Sequence, residues 1–237
     1  MKKLHIASIL LILLTIAISK IYINKISSNS LSEVRTYQEL IEISKGYPVY
    51  SFNVEDENYG DVMLQDVERI FEKLDGNSIL TKSDMNILVV TVGEYFSQNG
   101  STYMQTAIVN ETVKCNESIL GKEIFISFPF GVMESETKED YIFWGTKGHN
   151  ILIPDHKYLV FCEKNEVSDF LEKPTYRGLP MSFGYIDLTS DFSAIVDLND
   201  NEYKNYIGSE FFVNNQKTLD SLLIIKNKII EKYYLNS

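Results

Sequence analysis

The side chains with which this chain could do chemistry are few and scattered: three histidines, two cysteines and 33 acids among 237 residues. His5 lies in an apolar run, leaving His149 and His156 with Asp155 as a His/His/carboxylate set of the kind that holds zinc. Seven positions along one strand span about 23 Å, so a turn would have to bring the two histidines together. Ordinary turn and surface histidines account for them better. Asp197, Asn199, Asp200, Asn201 and Glu202 resemble the opening of a calcium loop. Glu202 stands where such a loop needs glycine, however, and Gly208 where it needs a bidentate acid. A solvated turn fits better, and the acidic stretch with Glu55, Asp56, Glu57 and Asp61 reads the same way.

Neither Cys115 nor Cys162 has a histidine or a glycine-rich turn nearby to activate it as a nucleophile. Paired, they would close a loop of about fifty residues, worth at most about 4 kcal/mol by the loss of chain entropy. Both also border strand-like runs, where a buried thiol behaves as a small apolar group, so the disulfide is left open. There is no G-x-S-x-G turn, no phosphate-cradling glycine loop, and no carboxylate spacing that points to a glycosidase cleft. No catalytic, cofactor-binding or metal-ligating residue is therefore assigned, and no cofactor is expected. The aromatic content is the compositional excess: 15 Tyr and 13 Phe with one Trp. Phe125, Phe128, Phe130, Tyr141, Phe143 and Trp144 gather around a long connection over 130–148. Phe130, Tyr141, Phe143 and Trp144 are the candidate partner contacts on it.

The elements that must position these residues follow from periodicity. Thr36 and Glu39 form a capping box that opens a short helix carried to Gly46 and Pro48. Met63, Val67, Ile70, Phe71 and Leu74 recur at helical spacing in a second helix. Residues 86–96 read as a strand with a bulge at Gly93, Asn99-Gly100 as a hairpin turn, and 102–114 as the returning strand. On that strand Tyr103, Ala107, Val109 and Val113 share one face, opposite Met104, Thr106, Ile108, Asn110 and Thr112. Ile124, Ile126 and Phe128 alternate in a third strand, and 149–153 and 158–162 form two more around Pro154 to Lys157. One or two further strands lie at 182–188 and 194–196. A closing helix over 218–234 has Leu219, Leu222, Leu223, Ile229, Ile230 and Tyr233 on its apolar side.

Ahead of all this stand Lys2 and Lys3, an uncharged run over 4–19, and Lys20. Such a segment targets a membrane rather than a globular core. Ala17 and Ser19 suit cleavage as a signal peptide, but Ile21, Tyr22 and Ile23 prolong the apolar pattern and favour an uncleaved single-pass anchor. Residues 1–19 hold two lysines and no acid, so the charge outside the membrane deepens from -11 to -13. That surface repels nucleic acid and anionic lipid headgroups; basic peptides, cationic proteins and soluble cations are its complementary partners.

The order of a strand over 86–92, a long strand over 102–114, Gly121-Lys-Glu-Ile-Phe-Ile and Lys157-Tyr-Leu-Val-Phe resembles uncharacterised exported proteins of Gram-positive bacteria. More distantly it is similar to the netrin-like module, an OB-type barrel with helices packed on it. The resemblance covers roughly residues 83–165 and lacks the N-terminal disulfide cysteines of netrin-like modules. Five short strands with a long third connection fit a small coiled barrel or a sandwich better than a βαβ protein. With the resemblance, the expectation is an α+β domain, mainly antiparallel β, with a small OB-like barrel of five to six strands and flanking amphipathic helices. A sandwich of two separate sheets is the competing reading. The expected organisation is an anchor or signal peptide at 1–23, a spacer at 24–31, and one extracytoplasmic domain at 32–237 with its barrel core at 83–198. The expected role is a non-catalytic module that binds a protein, peptide or envelope component. The alternatives are a carboxylate-dependent cell-envelope hydrolase or a cation-binding protein.

Overall fold

Ile87, Leu88, Val89, Val90 and Val92 are all buried, so the strand that carries them must be covered on both faces. A computed structural model of the chain describes residues 35–50, 65, 85–99, 102–128, 131–134, 141–144, 149–165, 173–179, 184–197 and 199–235, and shows how this is done. Helix α1 (Tyr37–Ser44) is followed by β1 (Val49–Tyr50), β2 (Met85–Asn99), β3 (Thr102–Lys114), β4 (Glu123–Phe128), β5 (Gly131–Glu134) and β6 (Tyr141–Trp144). Then come β7 (Lys157–Lys164), β8 (Thr175–Gly178), β9 (Tyr185–Asp187), β10 (Ala194–Ile195), β11 (Phe212–Val213) and helix α2 (Gln216–Ile230).

Strands β2, β3, β4, β8 and β7 hydrogen-bond in that order, and β7 pairs back with β2 to close a five-stranded barrel. Strand β9 adds a sixth strand on β7. Every pairing in this sheet is antiparallel except β4 with β8. By chain order the barrel runs first, second, third, fifth, fourth and back to first, the OB arrangement expected from the sequence. Leu88, Val90 and Val92 line the interior opposite Val160, Tyr158 and Ala107. Ile87 and Val89 face outward, where they join Leu159, Phe161 and the α2 side chains Leu219, Leu222, Ile225 and Ile229.

Three register shifts interrupt the β2–β3 ladder, at Ile87/Leu88, Val89/Val90 and Val92/Phe96, and the last two set the course of the barrel wall. Between Val92 and Phe96 the β2 ladder slips against β3, and inside the barrel Gln105 Nε2 donates to Gly93 O at 3.0 Å. This is the bend that Gly93 signals. A second slip places Val109 against Val90 but Glu111 against Val89. The extra residue, Asn110, reverses the phase of β3. Val113 consequently packs under α2, on the opposite face from Tyr103, Ala107 and Val109, which corrects the expectation from strict alternation.

The capping box is present, with Thr36 and Glu39 each accepting from the other's backbone N–H. Asn99 pairs with Thr102 and so belongs to the end of β2, where the sequence places it in the hairpin turn. The 130–148 connection is not a plain loop: β5 and β6 form a hairpin, and β6 pairs in parallel with β1 in a separate three-stranded sheet. Residues 149–153 are not a strand beyond one bridge from His149 to Phe211, because their N–H groups go mostly to side chains. Strand β8 is additional to the strands expected at 182–188 and 194–196, and it is short and lies between β4 and β7. The proposed helix over 63–74 and the segment 1–34 lie outside the described residues. Among the described residues no helix is long and apolar enough to cross a membrane.

Gly178 pairs with Cys162 on β7, and a Cβ placed there would lie 1.8 Å from the Phe128 ring. The missing side chain makes room for that ring, which contacts Tyr185 edge-on at 4.6 Å. Gly178→Ala should cost about 1–3 kcal/mol in denaturant unfolding by overpacking. In a Phe128→Ala background the same change should cost much less, a coupling that a purely backbone effect of the alanine would not produce.

Candidate functional site

One end of the barrel is filled by aromatic side chains that also carry polar tips. Phe96, Tyr103 and Phe128 stack in sequence at 5.2 and 5.9 Å, and Tyr185 lies 5.9 Å from Tyr158 and 4.6 Å from His149. The segment over 149–153 crosses this end, and the hydroxyls meet its backbone. Tyr103 accepts from Leu152 N–H at 3.3 Å, Tyr158 from Ile153 N–H at 2.9 Å, and Tyr185 donates to Asn150 O. Asn150 is the hub of the crossing. Its Oδ1 accepts from Tyr203 at 2.6 Å and Ile151 N–H at 2.8 Å, while Nδ2 donates to the carbonyls of Tyr206 and Ser209. Every donor and acceptor of this buried amide is used, as burial requires. Burial pushes the hydroxyls of Tyr103, Tyr158, Tyr185 and Tyr203 well above their ordinary value.

Beside the aromatic end runs a chain of charge. A type II turn with Pro154 second and Asp155 third, at φ 64°, closes by His156 N–H donating to Ile153 O. It presents the His156 ring so that Nδ1 meets Asp187 Oδ2 at 2.7 Å. Asp187 is fully buried, and its Oδ1 accepts from the N–H groups of Thr189 and Ser190. The Asp187 N–H donates to Glu210 Oε1, and Glu210 Oε2 takes Lys226 Nζ from α2, each at 2.7 Å. Lys226 completes its donors on Ser190 O and Asp191. Burial raises the Glu210 carboxyl to about 7 against the opposing pull of Lys226 and the Asp187 N–H. Burial alone would lower the Lys226 ammonium, but Glu210 and Asp191 outweigh it and hold it above its ordinary value. A histidine oriented by a buried carboxylate is the arrangement of a general base or a metal ligand.

The outer face of β2, β3 and β4 is different. Ile108, on β3, is 50 % exposed and pairs with Glu123 on β4. Tyr95 is 41 % exposed, and its ring lies 5.7 Å from that of Phe125. Lys173 places Nζ 5.4 Å from the Phe125 ring centre and 2.7 Å from Glu123 Oε2. Gly93 lets Thr106 approach β2 closely, since a Cβ there would sit 2.5 Å from Thr106 Oγ1.

No protein-family model matches the chain, and no curated protein matches it in sequence. The site therefore rests on its own residues. Cys162 lies in the barrel wall with its thiol pushed well up by burial, Cys115 Sγ accepts from Glu117 N–H at 3.4 Å, and both cysteines are free thiols. The backbones of Tyr141, Phe143 and Trp144 form β6, and Phe130 lies outside the described residues. His149 is buried against Tyr185 and Phe211, while His156 faces Asp187 instead. Among the described residues no three His, Cys, Asp or Glu side chains gather as metal ligands. Asp197 closes a local turn, its Oδ1 accepting from Asn199 N–H at 2.8 Å. The acidic stretch with Glu55 and Asp61 lies outside the described residues. Asn150, Asp187, Glu210 and Lys226 escaped notice in the sequence. Lys226 did leave a signal, since it falls on the apolar stripe between Leu222 and Ile229 and must bring a partner inside.

The tyrosines give one expectation. A hydroxyl held above its unfolded value of 10.0 supports the fold below that pH and loses this support as the pH rises through it. Tyrosinate absorbance from the buried set should therefore appear in the same step as unfolding above pH about 10. The ion pair gives another. A carboxyl raised from 4.5 to about 7 favours the fold while protonated, so its contribution falls as the pH rises between those values. Lys226→Met removes the cation that opposes burial, so its cost should reach about 3–5 kcal/mol at alkaline pH and shrink on acidification. Adding Glu210→Gln should recover most of it.

Proposed function

We propose that this chain is an extracytoplasmic module that binds a protein, peptide or envelope component without catalysing a reaction. Residues 1–23 hold it at the cell membrane as a single pass, or release it to the exterior if they are cleaved. The observation that supports binding is the contrast between two barrel faces: α2 covers β2 and β7, whereas Tyr95 and Ile108 on β2 and β3 stand open to solvent. The aromatic positions Phe130, Tyr141, Phe143 and Trp144 of the 130–148 connection are the other candidate contacts, on their sequence alone. Net charge favours a partner that is not a nucleic acid.

Protease added to intact cells should remove the domain, and mass spectrometry of the chain should find residues 1–19 still attached. Protection until lysis would overturn the location. Full-length protein should retain an envelope partner, and truncation of 131–147 should release it. The rival is a hydrolase, favoured by the carboxylate-oriented His156. Turnover of an envelope substrate, abolished by His156→Gln or Asp187→Asn while binding persists, would establish it instead.

A further inference from the structure

We infer that the outer face of β2, β3 and β4 binds an extended segment of a cationic partner, with a lysine or arginine of that segment seated on Phe125 and Glu123 and apolar side chains against Tyr95 and Ile108. The inference rests on the binding-module reading and names the partner's chemistry. Its first support is the chain's own Lys173. That ammonium already sits over the Phe125 ring and on the Glu123 carboxylate, so the face contains a seat that accepts a cation. Lys173 occupies it as a side chain 33 % exposed, paired with a carboxylate 47 % exposed, in a contact weak enough for exchange.

The second support is charge. Beside the face Lys173 is paired with Glu123, Arg177 with Glu163, and Arg35 stands near Glu39, which leaves Glu94 beside Tyr95 and Glu111 on β3 against Lys157, opposite Thr91. Set within a chain of net charge -11, a segment carrying positive side chains gains on approach where an acidic one is repelled. Tyr95, Ile108 and Phe125 come from the three successive strands β2, β3 and β4, and Ile108 lies opposite Glu123, so apolar and acidic groups adjoin on this face.

The test is fluorescence anisotropy of a labelled short peptide of alternating lysine and valine against the full chain in neutral detergent at low salt. A glutamate and valine peptide serves as the control. The lysine peptide should bind and the glutamate peptide should not. Tyr95→Ser and Ile108→Ser change half-exposed side chains, and each should weaken binding by about tenfold. Lys173→Ala vacates the seat and should tighten binding by about two- to fivefold, an effect that a merely structural Lys173 would not produce. Glu123→Gln should weaken binding and flatten its salt dependence. Absence of binding, equal binding of the acidic peptide, or weaker binding on Lys173→Ala would overturn the inference. Retention of an envelope partner unchanged by Tyr95→Ser and Ile108→Ser would overturn this face while leaving the binding module intact, whereas substrate turnover would remove the module reading itself.

Discussion

Everything in this domain depends on β2 being used twice. Its residues 87–91 pair along one edge with β3 and along the other with β7, and only this double pairing turns an open sheet into a closed barrel. The strand pays a geometric cost by bending at residues 93–95, where Gln105 ties down the Gly93 carbonyl. It also demands cover on both faces, which the barrel interior supplies on one side and α2 on the other. Closure removes edges that would otherwise recruit other chains. Among the described residues, one outer surface, over β2, β3 and β4, carries no helix.

Polar groups are admitted to this apolar construction on strict terms. The crossing at 149–153 could not run over the barrel end if its N–H groups were left bare, and a ladder partner is lacking for most of them. Tyrosine hydroxyls from the interior take that role, with Asn150 joining the crossing to residues 203–210. An amide with all its hydrogen bonds made specifies one arrangement of the segments it joins, because any other leaves it unsatisfied in a dry environment. The Lys226–Glu210 pair does the same for α2: hydrophobic contact would tolerate a slide of the helix along the sheet, whereas a buried ammonium held by Glu210 and the Ser190 carbonyl would not.

Much of the barrel was legible in the sequence because its strands obey simple periods. The run from Ile87 to Val92, the alternation of Ile124, Ile126 and Phe128, and the Thr36 capping box each have a local cause, and local causes can be read locally. What escaped had non-local causes. Asn110 reverses the faces of β3 only because of how it meets β2. Strand β8 is short and framed by Pro174 and Gly178, and it is a strand because β4 and β7 flank it. The 149–153 segment has strand-like composition, yet tyrosines distant in sequence intercept its backbone. The candidate site shows the same division. Exposed aromatic excess could be seen in composition, but the seat formed by Phe125, Glu123 and Lys173 depends on tertiary placement, and so does the meeting of His156 with Asp187.

That α2 follows β7 by about fifty residues has a consequence for biogenesis. Ile87, Val89, Leu159 and Phe161 are complete as a sheet surface once β7 has been made, but their cover is supplied by residues 216–230. Between those two moments a nascent chain displays a ready-made apolar platform, and barrel closure itself joins residues some seventy positions apart, a slow kind of contact to form. Lys226 adds to the delay, since it has no buried acceptor until Glu210 and Ser190 are in place. The domain is therefore most vulnerable to aggregation late in its synthesis, and a chaperone that shields the outside of β2 and β7 would act on the same surface that the last helix finally claims.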